Sequence, residues 1–330
     1  MTNNLKKIYV TGGAGYVGAM LVPELIAKGY VVTVLDLMIY GEDVIAPHSN
    51  LTMIKGDIRN VALLEKTIPG HDVVIHLACI SNDPSFELNP ELGKSINLDA
   101  FEPLVKVSLS GGVKRFVYAS SSSVYGVKKE QNVHEEMSLE PLTDYSRFKA
   151  ECEKILARYQ SPQFTTVTIR PATVCGYSRR QRLDVVVNIL TNLAFHKREI
   201  SVFGGKQLRP NIHMSDMVDA YLSVLAADHE KIAGQIFNVG TENQSVLGLA
   251  ETVKAVIGDD VKLIATPTND NRSYHISSKK IADALGFVPS RTIAQASRDV
   301  KDALEQGLLP DSLSHPRYFN IKVMQLINLK

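Results

Sequence analysis

A tyrosine and a lysine four positions apart, in Tyr145-Ser-Arg-Phe-Lys149, fall one turn apart on the same face of a helix, where an ammonium can stand beside a phenol. A free phenol, with a pKa near ~10, is a poor base at neutral pH; an adjacent cation favours the phenolate and brings it toward a useful range. Upstream, the apolar run Arg115-Phe-Val-Tyr-Ala119 leads into Ser120-Ser-Ser-Ser-Val-Tyr-Gly126. A serine hydroxyl at the end of such a strand can share the proton of an alcohol. Together the three groups suit withdrawal of a hydroxyl proton from a substrate, which is half of an alcohol oxidation.

The other half needs a hydride acceptor, and the start of the chain supplies a place for one. Val10-Thr-Gly-Gly-Ala-Gly-Tyr-Val-Gly18 follows the apolar run Lys7-Ile8-Tyr9-Val10 and leads into an amphipathic segment reaching Lys28, the pattern of strand, glycine turn and helix. Gly12 permits the tight turn, Gly15 lets the backbone approach a pyrophosphate, and Gly18 allows the helix to pack closely on the sheet. The N–H groups and positive dipole end of that helix then face the phosphates. A second run, Val31-Val-Thr-Val-Leu35, ends in Asp36. There a carboxylate accepts from an adenosine ribose and repels a 2′-phosphate, which favours NAD over NADP. A third strand, Leu51-Thr-Met-Ile54, runs into Gly56-Asp57-Ile58-Arg59. Asp57 is placed to accept from an adenine amino group, to cap the helix beginning near Val61, or to do both.

These groups have to be positioned by an alternation of short β runs and helical segments, the pattern of a parallel sheet wound on both faces. Asp72-Val-Val-Ile-His-Leu-Ala78 reads as a central strand, covered on both sides. The loop at its carboxyl end, Cys79 to Pro84, therefore lines a ligand cleft, with Ser81 and Asp83 as candidate substrate contacts. The helical stretch from about Pro90 to Leu109 contains Pro103 and is expected to kink or to divide. Thr165–Val174 reads as the sixth strand with its exit, Ser215 as the N-cap of a later helix, and Phe237-Asn-Val-Gly240 as a strand and turn. Arg179 and Arg182, in the cluster Arg179-Arg180-Gln-Arg182, suit a sugar diphosphate through bidentate contacts, or are solvated surface charge. His213 reads as a satisfied core histidine.

The 330 residues are enough for one large and one smaller lobe. The expected division is a dinucleotide-binding domain over 1–170, rejoined by segments near 205–245, and a discontinuous substrate lobe over 171–330. A formal charge of +1 offers no footprint for nucleic acid or an anionic membrane. The three cysteines, Cys79, Cys152 and Cys175, are odd in number and widely spaced, as in a reduced, cytoplasmic protein. The histidines lack metal-ligand spacing, so no metal is expected. No apolar run is long enough to span a bilayer, and none reads as a signal peptide.

At family level the chain resembles the extended short-chain dehydrogenase/reductases, and among them the NAD-dependent nucleotide-sugar epimerases and dehydratases. The resemblance rests on Gly12-x-x-Gly15-x-x-Gly18, the Asp57 strand end, His76-Leu-Ala78, Val124-Tyr-Gly126, Tyr145-x-x-x-Lys149, Arg170-Pro171 and Arg209-x-x-Ile-His213. It implies a Rossmann-type doubly wound parallel sheet with a smaller mixed α/β substrate lobe, a tightly held NAD, a nucleotide-sugar substrate and a homodimer pairing helices near Pro90–Leu109 and Thr143–Tyr159. It also implies Ser121, Tyr145 and Lys149 as the catalytic set. Cofactor contacts would come from Gly12, Gly15, Tyr16, Val17, Gly18 and Asp36, from Asp57, Ile58, Leu77 and Ala78, and from Asn97, Tyr145, Lys149, Pro171 and Val174. Ser81, Asp83, Ser122, Ser123, Arg179, Arg182 and Arg209 would meet substrate, Arg209 through the pyrophosphate.

The chain departs from the family at two places. Dehydratases of the family carry Asp-Glu where Ser122 and Ser123 stand, so the carboxylate that eliminates water is missing. Where many relatives have an Arg-Pro-Gly-Asp type sequence, this chain has Asn269-Asp-Asn-Arg-Ser-Tyr274; either Arg272 replaces that arginine or the nucleotide is held differently. The tail Pro316–Lys322 has no assignable role. The leading expectation is hydride removal at a sugar carbon, C4, by an epimerase or dehydrogenase. The alternatives are an NAD(P)H-dependent reductase of a nucleotide-linked keto-sugar and, more remotely, a non-catalytic dinucleotide sensor.

Overall fold

The computed structural model describes residues 5–327, apart from 82, 131, 269–272 and 274. The strands are β1 Lys7–Thr11, β2 Val31–Asp36, β3 Leu51–Lys55, β4 Val73–His76, β5 Arg115–Ala119, β6 Thr165–Pro171, β7 Thr173–Cys175, β8 Glu199–Phe203, β9 Leu208–His213, β10 Gln235–Val239, β11 Glu242–Ser245 and β12 Lys262–Thr266. Seven of them form one parallel sheet in the order β10-β6-β5-β4-β1-β2-β3. The chain order reverses between β1 and β4, and ligands of such sheets collect outside the strand carboxyl ends at that point. β10, from the second half of the chain, completes the sheet beside β6.

The helices are α1 Gly18–Ala27, α2 Val61–Thr67, α3 Asp83–Glu87, α4 Pro90–Lys94, α5 Phe101–Ser110, α6 Asp144–Ala157, α7 Val186–Lys197, α8 Met214–Ala226, α9 His229–Ile232, α10 Val246–Ile257, α11 Lys279–Leu285, α12 Ile293–Glu305 and α13 Asn320–Leu326, and both faces of the large sheet are covered. On one side Leu21, Val22 and Leu25 of α1 pack with Met217, Tyr221 and Val224 of α8. On the other, Leu64, Phe101, Leu104, Cys152 and Leu156 form a separate core from α2, α5 and α6. Both sides of the central strands are thus apolar, which is why β4 reads as an unbroken hydrophobic run rather than an alternating one. The smaller lobe holds a mixed sheet, β11-β9-β7, and a parallel pair, β12-β8, against α7, α10 and α12. Among the described residues no helix is long and apolar enough to cross a membrane.

Several local expectations change. The long helix divides one turn ahead of Pro103: Ser95–Asp99 widens into a π turn closed by Ala100 N–H to Ser95 O at 3.1 Å. Proline lacks the N–H that would serve the Asp99 carbonyl, so the ladder is already loosened there. The sixth strand and its exit are two strands, β7 leaving the large sheet to pair with β9. Ser215 does not cap α8; His213 does, its Nδ1 accepting from Ser215 N–H at 3.0 Å. His213 is buried and its Nε2 lies 2.9 Å from Asp299, a satisfied histidine.

Candidate active site

The glycine turn is closed by sterics. Gly12 has φ +74°, and a Cβ there would stand 2.5 Å from the Ala78 nitrogen on the exit of β4. A Cβ on Gly18 would collide with Gly13 O, so its close approach is to the turn itself and not to the sheet; Gly13 is the glycine pressed on the sheet, against Val34. Gly15 differs, because a Cβ on it would meet only Gly12 O at 3.1 Å. Its other side faces a cleft of about 530 Å³.

Asp36 fixes the turn to β2, accepting from Ala14 N–H at 3.0 Å and Met38 N–H at 2.7 Å. Burial raises its pKa above the usual carboxylate range, and the two amides and Arg180 oppose that. Asp57 does not cap α2. Asn60 does, accepting from Leu63 N–H at 3.1 Å, while Asp57 accepts from the Arg59 guanidinium and main-chain N–H. Asp57 nevertheless lines the cleft with Tyr16, Val17, Gly18, Asp36, Ile58, Leu77, Ala78, Pro171 and Val174. Asn97 does not line it. Its amide is used on both sides by Ile80, accepting from N–H at 2.8 Å and donating to O at 3.0 Å, so it holds the β4 exit loop while Ile96 faces the cleft.

Ser121, Tyr145 and Lys149 converge at the far end. Ser121 is the extended N-cap of a 3-10 turn over Ser122–Tyr125, its Oγ accepting from Ser123 N–H at 3.1 Å and lying 2.9 Å from Ser123 Oγ. Tyr145 enters on the first turn of α6, which Thr143 caps in a box with Ser146. Thr143 Oγ1 donates in turn to Asp83 at 2.6 Å. Behind the serines, a buried ion pair joins strands and helix: Arg170 Nη2 on β6 donates to Glu153 on α6 at 2.6 Å, and Ser120 Oγ donates to the same carboxylate at 2.5 Å. The register between serine run and tyrosine helix is thereby fixed.

Burial drives the Tyr145 phenol well above its ordinary pKa, Cys79 and Asp83 push the same way, and Arg182 and a hydrogen bond to Ser121 oppose them. The Lys149 ammonium stands 5.8 Å from the Tyr145 ring centre and donates to Ala119 O at 2.7 Å. The helical spacing thus brings lysine and tyrosine to one face, but in this state the ammonium serves a main-chain carbonyl.

The second half closes the cleft. Tyr16 OH donates to Gly176 O at 2.7 Å and Ser178 Oγ to Tyr16 O at 2.7 Å, binding the glycine turn to the segment after β7. Arg182, Arg209, Ser81, Asp83, Ser122 and Ser123 all line the cleft. Arg182 Nε donates to Asp184 at 2.8 Å, and the Arg209 guanidinium donates to Leu208 O at 3.1 Å. Arg179 is exposed and lies off the cleft, so it takes the surface-charge reading; the neighbouring Arg180 points inward instead. Its guanidinium carbon lies 3.4 Å from the centre of the Tyr40 ring, and burial lowers its pKa to about 10. Arg272 lies outside the described residues.

Arg180, Tyr40, Asp184, Asn320 and Met324 are cleft residues that the sequence motifs do not single out. Arg180 belongs to the basic cluster, but spacing does not say that Arg180 and Arg182 turn inward while Arg179 stays exposed. Asn320 and Met324 belong to a tail with no motif, and their place depends on contacts far along the chain.

The residues present suit a dinucleotide. The turn leaves Gly15 open to a pyrophosphate, and the Asp36 carboxylate at the end of β2 opposes a 2′-phosphate. A model of the NAD dependent epimerase/dehydratase family matches residues 8–240. A UDP-glucose 4-epimerase from Lactobacillus helveticus is 28% identical over 304 residues, 86% of this chain and 92% of its own. An uncharacterised UDP-glucose epimerase from Bacillus subtilis (strain 168) is 32% identical over 325 residues, 92% and 95% of the two chains. The crystal structure of a dTDP-glucose 4,6-dehydratase from Streptomyces venezuelae, solved with NAD bound, has the same fold, with a TM-score of 0.83 at 23% identity over 93% of this chain and 100% of its own. With the glycine turn and the reversal of strand order at its mouth, this chain belongs to the NAD-dependent epimerase/dehydratase family of extended short-chain dehydrogenase/reductases, and its cofactor is NAD.

Proposed function

We propose that the protein is a nucleotide-sugar epimerase or dehydrogenase that oxidises a sugar hydroxyl, at C4, with Tyr145 as the base. The observation that carries this reading is the meeting of Tyr145 and Ser121 at the end of β5, inside the cleft that the glycine turn opens. Bound NAD would supply the hydride acceptor. Once its own proton has passed to solvent, the Tyr145 phenolate takes the hydroxyl proton, and Ser121 shares it through its hydrogen bond. Lys149, bound to Ala119, sets the ribose side of the site. Arg182 and Arg209 meet the diphosphate.

Elimination of water is disfavoured. Ser122 and Ser123 stand where family dehydratases carry Asp-Glu, and two carboxylates that line the cleft are engaged, Asp83 by Thr143 and Asp184 by Arg182. Oxidation then leads either to return of hydride to the other face of the sugar or to release of a keto-sugar. Pairing of two copies through α5 and α6 fits an outward face on which Leu98, Pro103 and Ile155 lie among Asp99, Glu102, Lys106 and Glu151.

The test is a panel of UDP-, dTDP-, GDP- and CDP-sugars followed by the absorbance of reduced nicotinamide and by sugar NMR. Acid release of nucleotide should yield near-stoichiometric NAD. A protein that accepts only NADPH and reduces keto-sugars would overturn the proposal.

A further inference from the structure

The C-terminal segment forms a wall of the cleft, and its chief polar contact is a closed ring. Asn320, the first residue of α13, is buried. Its main-chain N–H donates to Asp184 Oδ2 at 2.8 Å, and its Nδ2 donates to Ser81 Oγ at 2.7 Å. Arg182 closes the circuit from the other side, Nε to Asp184 Oδ1 at 2.8 Å and Nη1 to Ser81 Oγ at 3.4 Å. Arg182 and Asn320 are therefore opposite corners of a four-residue ring. The remaining polar atom of Asn320, Oδ1, accepts from Arg180, the guanidinium laid on Tyr40. A buried amide with every group used restricts the rotamers of its partners. Met324, one turn further along α13, lines the same cleft.

The ring lies beside the reacting end. The groups that face Tyr145 are Cys79 and Asp83 from the β4 exit, Ser121 from the serine run, Lys149 from its own helix at 5.8 Å, and Arg182 from the ring. Arg182 and Lys149 are the cations among them, and Arg182 favours the phenolate. Its position is not secured by sequence neighbours alone, since Asp184 and Ser81 are both held by Asn320.

We propose that Asn320 is a positioning residue for the reaction: the C-terminal segment holds Arg182 where it meets the substrate diphosphate and faces Tyr145. This rests on the reading of Tyr145 and Arg182 given above. Removing the side-chain amide leaves the main-chain N–H on Asp184 but releases Ser81 and Arg180, so the ring opens on the Ser81 side and Arg182 is held by Asp184 alone. Substrate then binds less well, and the phenol loses a nearby cation, so a higher pH is needed to deprotonate it.

Asn320→Ala in the full chain loaded with NAD is the variant to measure. KM for the nucleotide-sugar should rise about tenfold while kcat at the optimum stays within about threefold. The acid limb of the kcat/KM profile should move to higher pH with NAD content as in the parent, and the thermal midpoint should fall by no more than the few degrees a lost buried amide contributes. Added to Arg182→Ala, the same substitution should have no further effect on KM. A KM and acid limb equal to the parent's would overturn the proposal, as would loss of NAD and of thermal midpoint together with activity, which marks a merely structural residue. If the parent turns over no nucleotide-sugar, the reading of the reaction fails; binding of UDP and dTDP by calorimetry still decides the ring, since weaker binding to Asn320→Ala supports it and equal binding sinks it.

Discussion

Lys149 donates its ammonium to the carbonyl of Ala119 at 2.7 Å, across the sheet-to-helix boundary and 5.8 Å from the centre of the Tyr145 ring. Helical spacing alone expects the ammonium to act on the phenol. The structure instead gives it a carbonyl at the mouth of β5, and leaves the phenol protonated by burial. A lysine in this place supports the strand end that carries Ser121 as well as the charge balance of the cleft. Lys149→Ala should therefore reduce NAD affinity and kcat together, and a variant that lost only kcat would confine the lysine to Tyr145.

Tyr145→Phe removes the hydroxyl and little else, since the partly buried ring packs against the buried apolar core of α2, α5 and α6. Turnover should fall at least about 100-fold, the usual range for loss of a general base. Bound NAD, measured by acid release, should be unchanged. Retained activity would remove Tyr145 from the chemistry.

Two glycines of one turn should fail differently. Gly18→Ala drives a Cβ into Gly13 O and should cost about 1–3 kcal/mol of stability, read as a lowered denaturant midpoint. Gly15→Ala meets only one atom within the turn, so the fold should persist while NAD binding by calorimetry weakens. Equal destabilisation of both would contradict the assignment of Gly15 to the pyrophosphate.

His76 ends β4 with its Nδ1 2.7 Å from Thr11 Oγ1, and burial lowers its pKa to about 3. The unfolded chain binds this proton at about pH 6.5 and the folded one does not. Between those values the unfolded state holds more protons, so stability rises with pH and is lost as pH falls from about 6.5 toward 3. His76→Gln should flatten that part of the stability profile, measured by urea unfolding across the range. An unchanged slope would assign the acid sensitivity elsewhere.

Arg209 lines the cleft from β9. Arg209→Ala should raise the KM for the nucleotide-sugar by about tenfold with little change in NAD content. An unchanged KM would remove it from the substrate site.

The dinucleotide half is legible because its chemistry is written in local patterns. Glycines at the turn, an acid ending β2 and apolar runs for buried parallel strands each belong to one element. Tyr145 and Lys149 are legible for the same reason, lying one turn apart on a single helix. The substrate end depends on contacts between distant segments. Ser81 and Asn320 are 239 positions apart, and Arg180 differs from Arg179 only in which side of an irregular segment it leaves. The capping of α2 by Asn60 and of α8 by His213 is hidden because an aspartate or serine nearby satisfies the same rule equally well.

In an epimerase working through Tyr145, a hydride leaves a sugar carbon and is held within the protein until it returns. A nucleotide-hexose carrying deuterium at C4, incubated in ordinary water and followed by proton NMR, reports on this step. The product should keep its label at C4, because the hydride taken from that carbon is the one given back. Loss of the label to solvent, with turnover, would contradict the mechanism.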